Sequence, residues 1–146
     1  MPKIHEQVVL RCSREKAFTE MAAVDFVKRI DPNAGIEFET TFESERFTRY
    51  KMKVGKWEIE SEKVIIPEAF TFLTRRTISS PAGYFVIIQI FENHETETLL
   101  KHIEDFEPAG SEAQLSDLKS KVRQYLQKVQ SYFGAGSPGT FVVDRR

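Results

Sequence analysis

The chain has 146 residues, enough for one domain with a substantial core, and carries 21 basic against 22 acidic residues for a net charge of −1. That balance leaves no basic footprint for nucleic acid or an anionic membrane and favours a neutral or weakly anionic small molecule as partner. The single cysteine, Cys12, excludes an internal disulfide and a thiolate metal cluster; no apolar run approaches the ~20 residues of a membrane span, and the first residues lack a signal peptide's apolar stretch, so a soluble cytoplasmic protein is expected.

Residues 4–11 read as a first strand, with Val8 and Leu10 on one face. Ser13 is placed to cap a short helix whose first turn carries Glu15, a carboxylate at the positive end of the helix dipole. A second short helix over 25–30 stops at Asp31-Pro32-Asn33, because proline restricts the residue before it. Six strands follow at about 36–44, 46–54, 56–66, 69–78, 83–92 and 97–106. The short links between them hold Gly55, Pro67, Pro81-Ala82-Gly83 and Asn93-His94, as suits antiparallel hairpins.

The last periodic element spans 111–133, with Leu115, Leu118, Val122, Tyr125, Leu126, Val129 and Phe133 at helical spacing and Lys119, Lys121, Arg123, Gln127 and Lys128 opposite them. It is a long amphipathic helix that ends in the glycine-rich stretch after Phe133. Residues 1–134 thus form one ligand-binding domain, and 135–146 a flexible tail whose Phe141-Val142-Val143 can dock on a sheet edge or a neighbouring subunit. The order of elements predicts an α+β fold: a seven-stranded antiparallel sheet, strongly twisted, curled around the C-terminal helix. A cavity lies between them.

The segment from Trp57 to Glu107 says what kind of cavity. In Trp57-Glu58-Ile59-Glu60-Ser61-Glu62-Lys63 every second residue is a glutamate, so alternation turns the carboxylates outward and Trp57, Ile59, Ser61 and Lys63 inward. In the next run Phe70, Phe72, Thr74 and Arg76 share a face. Two cations on inner faces of neighbouring strands would each cost several kcal/mol if dry and unpaired, so the interior is a pocket rather than a closed core. In the last strand Leu100, His102, Glu104 and Phe106 share one face, while Lys101 and Asp105 mark the other as solvent-facing.

Gly55-Lys56-Trp57-Glu58-Ile59-Glu60-Ser61-Glu62-Lys63-Val64, then Arg76-Thr77-Ile78-Ser79-Ser80-Pro81, then Glu97-Thr98 through Asp105-Phe106-Glu107-Pro108 resemble the central strands of bacterial polyketide aromatase/cyclases. The element order resembles the helix-grip fold of the START and Bet v 1-like (SRPBCC) superfamily to which these belong. On this resemblance Trp57 matches a pocket aromatic, Lys63 stands where the cyclases place an arginine, and Arg76 matches a second pocket arginine. Gln89 and His102 replace tryptophans, and Tyr125 lies near a polar helix position. The resemblance implies a protein that binds a poly-β-keto or related hydrophobic substrate and promotes aldol cyclisation and dehydration, needing no metal or redox cofactor and receiving the substrate from an acyl carrier protein.

In that chemistry a cation near a carbonyl oxygen stabilises an enolate or alkoxide. Arg76 suits fixed oxyanion binding, Lys63 can exchange protons if burial lowers its pKa, and His102 and Tyr125 are the remaining candidate catalytic groups. Phe38, Tyr50, Met52, Trp57, Ile59, Ser61, Phe72, Thr74, Phe85, Ile87, Gln89, Leu100 and Val122 are the expected substrate-binding wall. With no clustered histidines, no metal site is expected. The same cations can instead anchor an acidic or carbonyl head group in a non-catalytic carrier or sensor. The oligomeric state expected is monomer or homodimer.

Overall fold

Alternation organises the chain from its first strand. β1 (Lys3–Leu10) buries Ile4, Glu6, Val8 and Leu10 while His5, Gln7 and Val9 lie on the other face. The Ser13 hydroxyl accepts a 3.2 Å hydrogen bond from the Lys16 N–H and starts α1 (Arg14–Met21); α2 (Phe26–Ile30) ends at Asp31, before Pro32. The computed structural model describes residues 3–79, 82–107, 112–134 and 141–143. It continues with β2 (Ile36–Glu43), β3 (Phe47–Val54), β4 (Trp57–Ile66), β5 (Thr71–Ser79), β6 (Ala82–His94), β7 (Glu97–Glu107), α3 (Glu112–Gly134) and β8 (Phe141–Val143).

The strands form one antiparallel sheet in the order β2-β3-β4-β5-β6-β7-β1-β8. Seven of them are the expected helix-grip sheet. The eighth comes from the segment expected as a tail: Val142 pairs with Gln7 on the edge of β1, and the rest of 135–146 lies outside the described residues. Two turns differ from expectation. β6 extends through His94, so the turn to β7 is Glu95-Thr96, with Glu95 at φ 56 in the left-handed region. Pro67–Ala69 form a 3-10 turn, and Phe70 caps it at φ 46, so β5 begins at Thr71. The Phe70 strain is offset by an edge contact with Phe18 at 5.3 Å and by the Arg14 guanidinium 3.8 Å over its ring.

The core lies where α1 and α3 press on the central strands. Phe18 stacks on Phe72 at 4.5 Å and meets Phe91 edge-on at 5.6 Å, while Val122, Leu126 and Val129 bury the apolar stripe of α3. Arg123, on the stripe's polar side in sequence, reaches back to the buried carboxylate of Glu6 at 3.1 Å, and the Gln130 amide donates to the Val9 carbonyl at 2.8 Å. These bonds fix α3 across β1. None of the described helices is long and apolar enough to cross a membrane.

Candidate functional site

Strand register builds the wall of the site. Ser61 on β4 faces Arg76 on β5, and Lys63 faces Thr74, so the two cations are diagonal neighbours on the concave side. Across β5, β6 and β7, Thr74 faces Ile87 and Ile87 faces Glu104, while Gln89 faces His102. α3 adds Leu118, Lys121, Val122 and Tyr125. The segment from the end of α1 into α2 adds Met21, Ala23, Val24, Phe26 and Val27, and together these enclose a cavity of about 290 Å³. That lies just below the roughly 300–1,000 Å³ of small-molecule sites.

Lys63 is buried. Its Nζ donates to the Met21 carbonyl oxygen at 2.7 Å and sits 4.0 Å from the centre of the Phe72 ring. Burial, with the nearby Arg76 charge adding to it, lowers this amine from 10.5 to about 7. No carboxylate pairs with it among the described residues. Arg76 behaves differently: burial opposes its charge, but a hydrogen bond and favourable electrostatics with Tyr50, then Glu104 and Tyr125, outweigh that and hold it above its ordinary value. Its Nε is buried and has no hydrogen-bond partner among the described residues.

Behind the cations runs a chain of side-chain contacts. The Gln89 amide donates to the Tyr125 hydroxyl oxygen at 3.3 Å and lies 3.2 Å from His102 Nδ1; His102 Nε2 lies 3.0 Å from Glu104 Oε1. With Gln89 Nε2 as donor on both sides, Nδ1 must accept, so the imidazole proton sits on Nε2 and is given to Glu104. Both nitrogens of His102 are thereby engaged inside the protein. The Tyr125 hydroxyl, raised above its ordinary pKa chiefly by burial, keeps its proton, and having accepted from Gln89 it can donate to a ligand oxygen.

The cavity wall brings together all four candidate catalytic side chains, Lys63, Arg76, His102 and Tyr125, with Tyr50, Met52, Ile59, Thr74, Ile87, Gln89 and Val122. Six expected wall residues lie elsewhere. Trp57 opens β4 opposite Val54, where the sheet ends, and is 37% exposed. Phe38 packs on Tyr50 at 6.1 Å but lines a separate, more charged depression with Glu37, Lys51 and Glu58. Phe72 and Leu100 are fully buried in the aromatic and aliphatic core, and Phe85 stacks on Phe106 at 5.9 Å. Ser61, buried between Tyr50 and Arg76 on the flanking strands, leaves its hydroxyl without a partner among the described residues and does not reach the cavity.

Glu104, which alternation puts on the face of His102 but which is not among the expected site residues, also lines the cavity. Met21, Val24, Phe26 and Val27 were not foreseen. They lie at the end of α1, in the link after it and at the start of α2, elements too short for a helical period to mark one face, and only their enclosure against α3 makes them a wall.

No family model matches this sequence, and no curated protein matches it either. Solved structures do resemble it. TTHA0849 from Thermus thermophilus is 14% identical with a TM-score of 0.71, over 93% of this chain and 99% of that one. The Zhui aromatase/cyclase from a Streptomyces species is 14% identical with a TM-score of 0.67, over 93% and 98%. The Aha1 dimer from Colwellia psychrerythraea is 13% identical with a TM-score of 0.70, over 94% and 100%. Proteins so different in name share this architecture, which speaks for the fold and leaves activity to the site. The chain has the Bet v 1-like helix-grip fold, with an eighth strand added to its sheet.

Proposed function

We propose that this protein binds a small hydrophobic molecule bearing a carbonyl or enolate oxygen and acts on it as a polyketide cyclase or aromatase does, by promoting aldol cyclisation and dehydration. The observation that carries this reading is the Arg76 guanidinium, a fixed cation that lines a cavity otherwise walled largely by apolar side chains and shares it with Tyr50, Glu104 and Tyr125. A ligand oxygen held by this cation gains a charge-assisted hydrogen bond, which is worth more in a water-poor cavity than in bulk water. In the reaction Arg76 and the Tyr125 hydroxyl hold the oxygen on which negative charge develops, and the partly neutral Lys63 amine takes the proton from the carbon between two carbonyls. A cavity of about 290 Å³ favours a short keto chain over a long one, with an acyl carrier protein as the natural donor.

A carrier or sensor is the second reading, favoured by His102, whose two nitrogens are both tied to neighbouring side chains as in a fixed wall. The test incubates the protein with short carrier-bound poly-β-keto chains and compares products with those of Arg76→Met and Lys63→Met. The cyclase reading expects a product distribution that differs from spontaneous cyclisation and reverts in both variants. An unchanged distribution, with ligand still retained in native mass spectra, would leave only the carrier.

A further inference from the structure

We propose that Lys63 is also a nucleophile, whose ε-amine condenses with the carbonyl carbon of an apolar aldehyde or ketone in the cavity to form an imine. This rests on the cavity being the binding site for a carbonyl compound, and it adds the covalent bond.

The geometry prepares the amine for it. Nζ ends a side chain that is only 8% exposed, with the Phe72 ring 4.0 Å away and the Met21 carbonyl oxygen at 2.7 Å, and the residue itself lines the cavity. The groups sharing that space are Arg76 from β5, Tyr50 from β3, His102 and Glu104 from β7, and Lys121 and Tyr125 from α3. Glu104 is the one carboxylate among the described wall residues, and it is 3.0 Å from His102 Nε2. With a cation beside it and no counter-anion, the amine holds its lone pair near neutrality, as its value of about 7 reflects.

The step balances without an oxidant or reductant. The Nζ lone pair forms the C–N bond while the carbonyl π pair moves onto oxygen, where the Arg76 guanidinium and the Tyr125 hydroxyl, both on the cavity wall, can receive the charge. A proton passes from nitrogen to that oxygen to give the carbinolamine. Protonation of its hydroxyl releases water and leaves the iminium, whose remaining N–H can keep the hydrogen bond to Met21 and whose charge faces the Phe72 ring. Loss of that proton gives the neutral imine.

The test uses octanal as probe and sodium cyanoborohydride to reduce any imine to a stable secondary amine, with peptide mapping by mass spectrometry and octanal binding followed by calorimetry. At about pH 7, labelling at Lys63 is expected to exceed that at every surface lysine by at least about tenfold, because ordinary lysines near 10.4 are almost wholly protonated there. Labelling should rise with pH around a midpoint near 7. Mapping on the wild type needs no variant to fold; Lys63→Met should lose the dominant adduct while the labelling of surface lysines stays as in the wild type. Saturable binding with label spread over surface lysines and Lys63 spared would overturn the imine alone. No saturable binding at all would overturn the carbonyl-binding site on which it rests.

Discussion

Lys63 Nζ donates to the Met21 carbonyl oxygen at 2.7 Å and so joins the middle of β4 to the last residue of α1. That carbonyl belongs to a terminal helical turn, whose C=O groups lack helical partners and carry the negative end of the dipole. The lysine therefore fastens the helix that closes one side of the cavity it lines.

The two roles separate with pH. Because burial and Arg76 lower Lys63 from 10.5 to about 7, the unfolded chain binds this proton more tightly than the folded one. Below about 7 both states are charged and the folded state bears the whole penalty; between about 7 and 10.5 only the unfolded state is charged, so stability rises with pH through that window. A shift of that size corresponds to about 5 kcal/mol. Lys63→Met lacks this dependence but leaves the Met21 carbonyl without its donor, at about 1–3 kcal/mol. Urea unfolding should find the variant more stable at about pH 6 and the wild type gaining on it toward about pH 10. A difference that does not move with pH would contradict a buried, depressed lysine.

Gln89 holds the Tyr125 hydroxyl and the His102 ring in place together, so Gln89→Leu removes both contacts at once. The expected loss is about 1–3 kcal/mol in chemical denaturation. Nitrogen-15 spectra should show His102 as the Nε2–H tautomer in the wild type and a mixture of tautomers in the variant.

Trp57 is 37% exposed and lies outside the cavity wall, whereas Val122 lines it. Trp57→Phe should change the Kd for octanal by less than about twofold, while Val122→Trp, which fills the space, should abolish binding. Calorimetry on both variants checks this. A large loss of affinity in Trp57→Phe would restore the tryptophan to the site.

Gly134 ends α3 against β1's outgoing chain: a Cβ placed there would stand 2.7 Å from the Arg11 Cβ. That neighbour is the rigid base of a side chain, so the backbone must shift, and Gly134→Ala should lower stability by about 1–3 kcal/mol. Thermal unfolding measures it; an unchanged Tm would mean that the α3 end moves freely.

Alternation placed Lys63, Arg76, His102 and Glu104 on the inner face because each shares a strand with charges that must face water. It could not tell depth along that face. Phe72 and Leu100 point the same way as Lys63 and His102 but meet α1 and the core, while Trp57 points inward where the sheet has already run out. Side is a local property of a strand; cover is decided by whichever element packs above it. The wall from Met21 to Val27 is illegible for the complementary reason, since two short helix ends and the link between them show no face until something else closes on them.

The pairing of β1 has a kinetic consequence. Ile4 lies opposite Glu104 and Val8 opposite Leu100, with β8 on the other flank, so the opening strand of the sheet finds its partners only among the closing ones. Contacts this distant in sequence slow folding, because a long loop must close before they form. During synthesis β2 to β6 can zip together hairpin by hairpin while β1 waits. Destabilising β7 should therefore slow the final closure of the sheet far more than it slows the assembly of the hairpins, and the cavity can exist only after that closure.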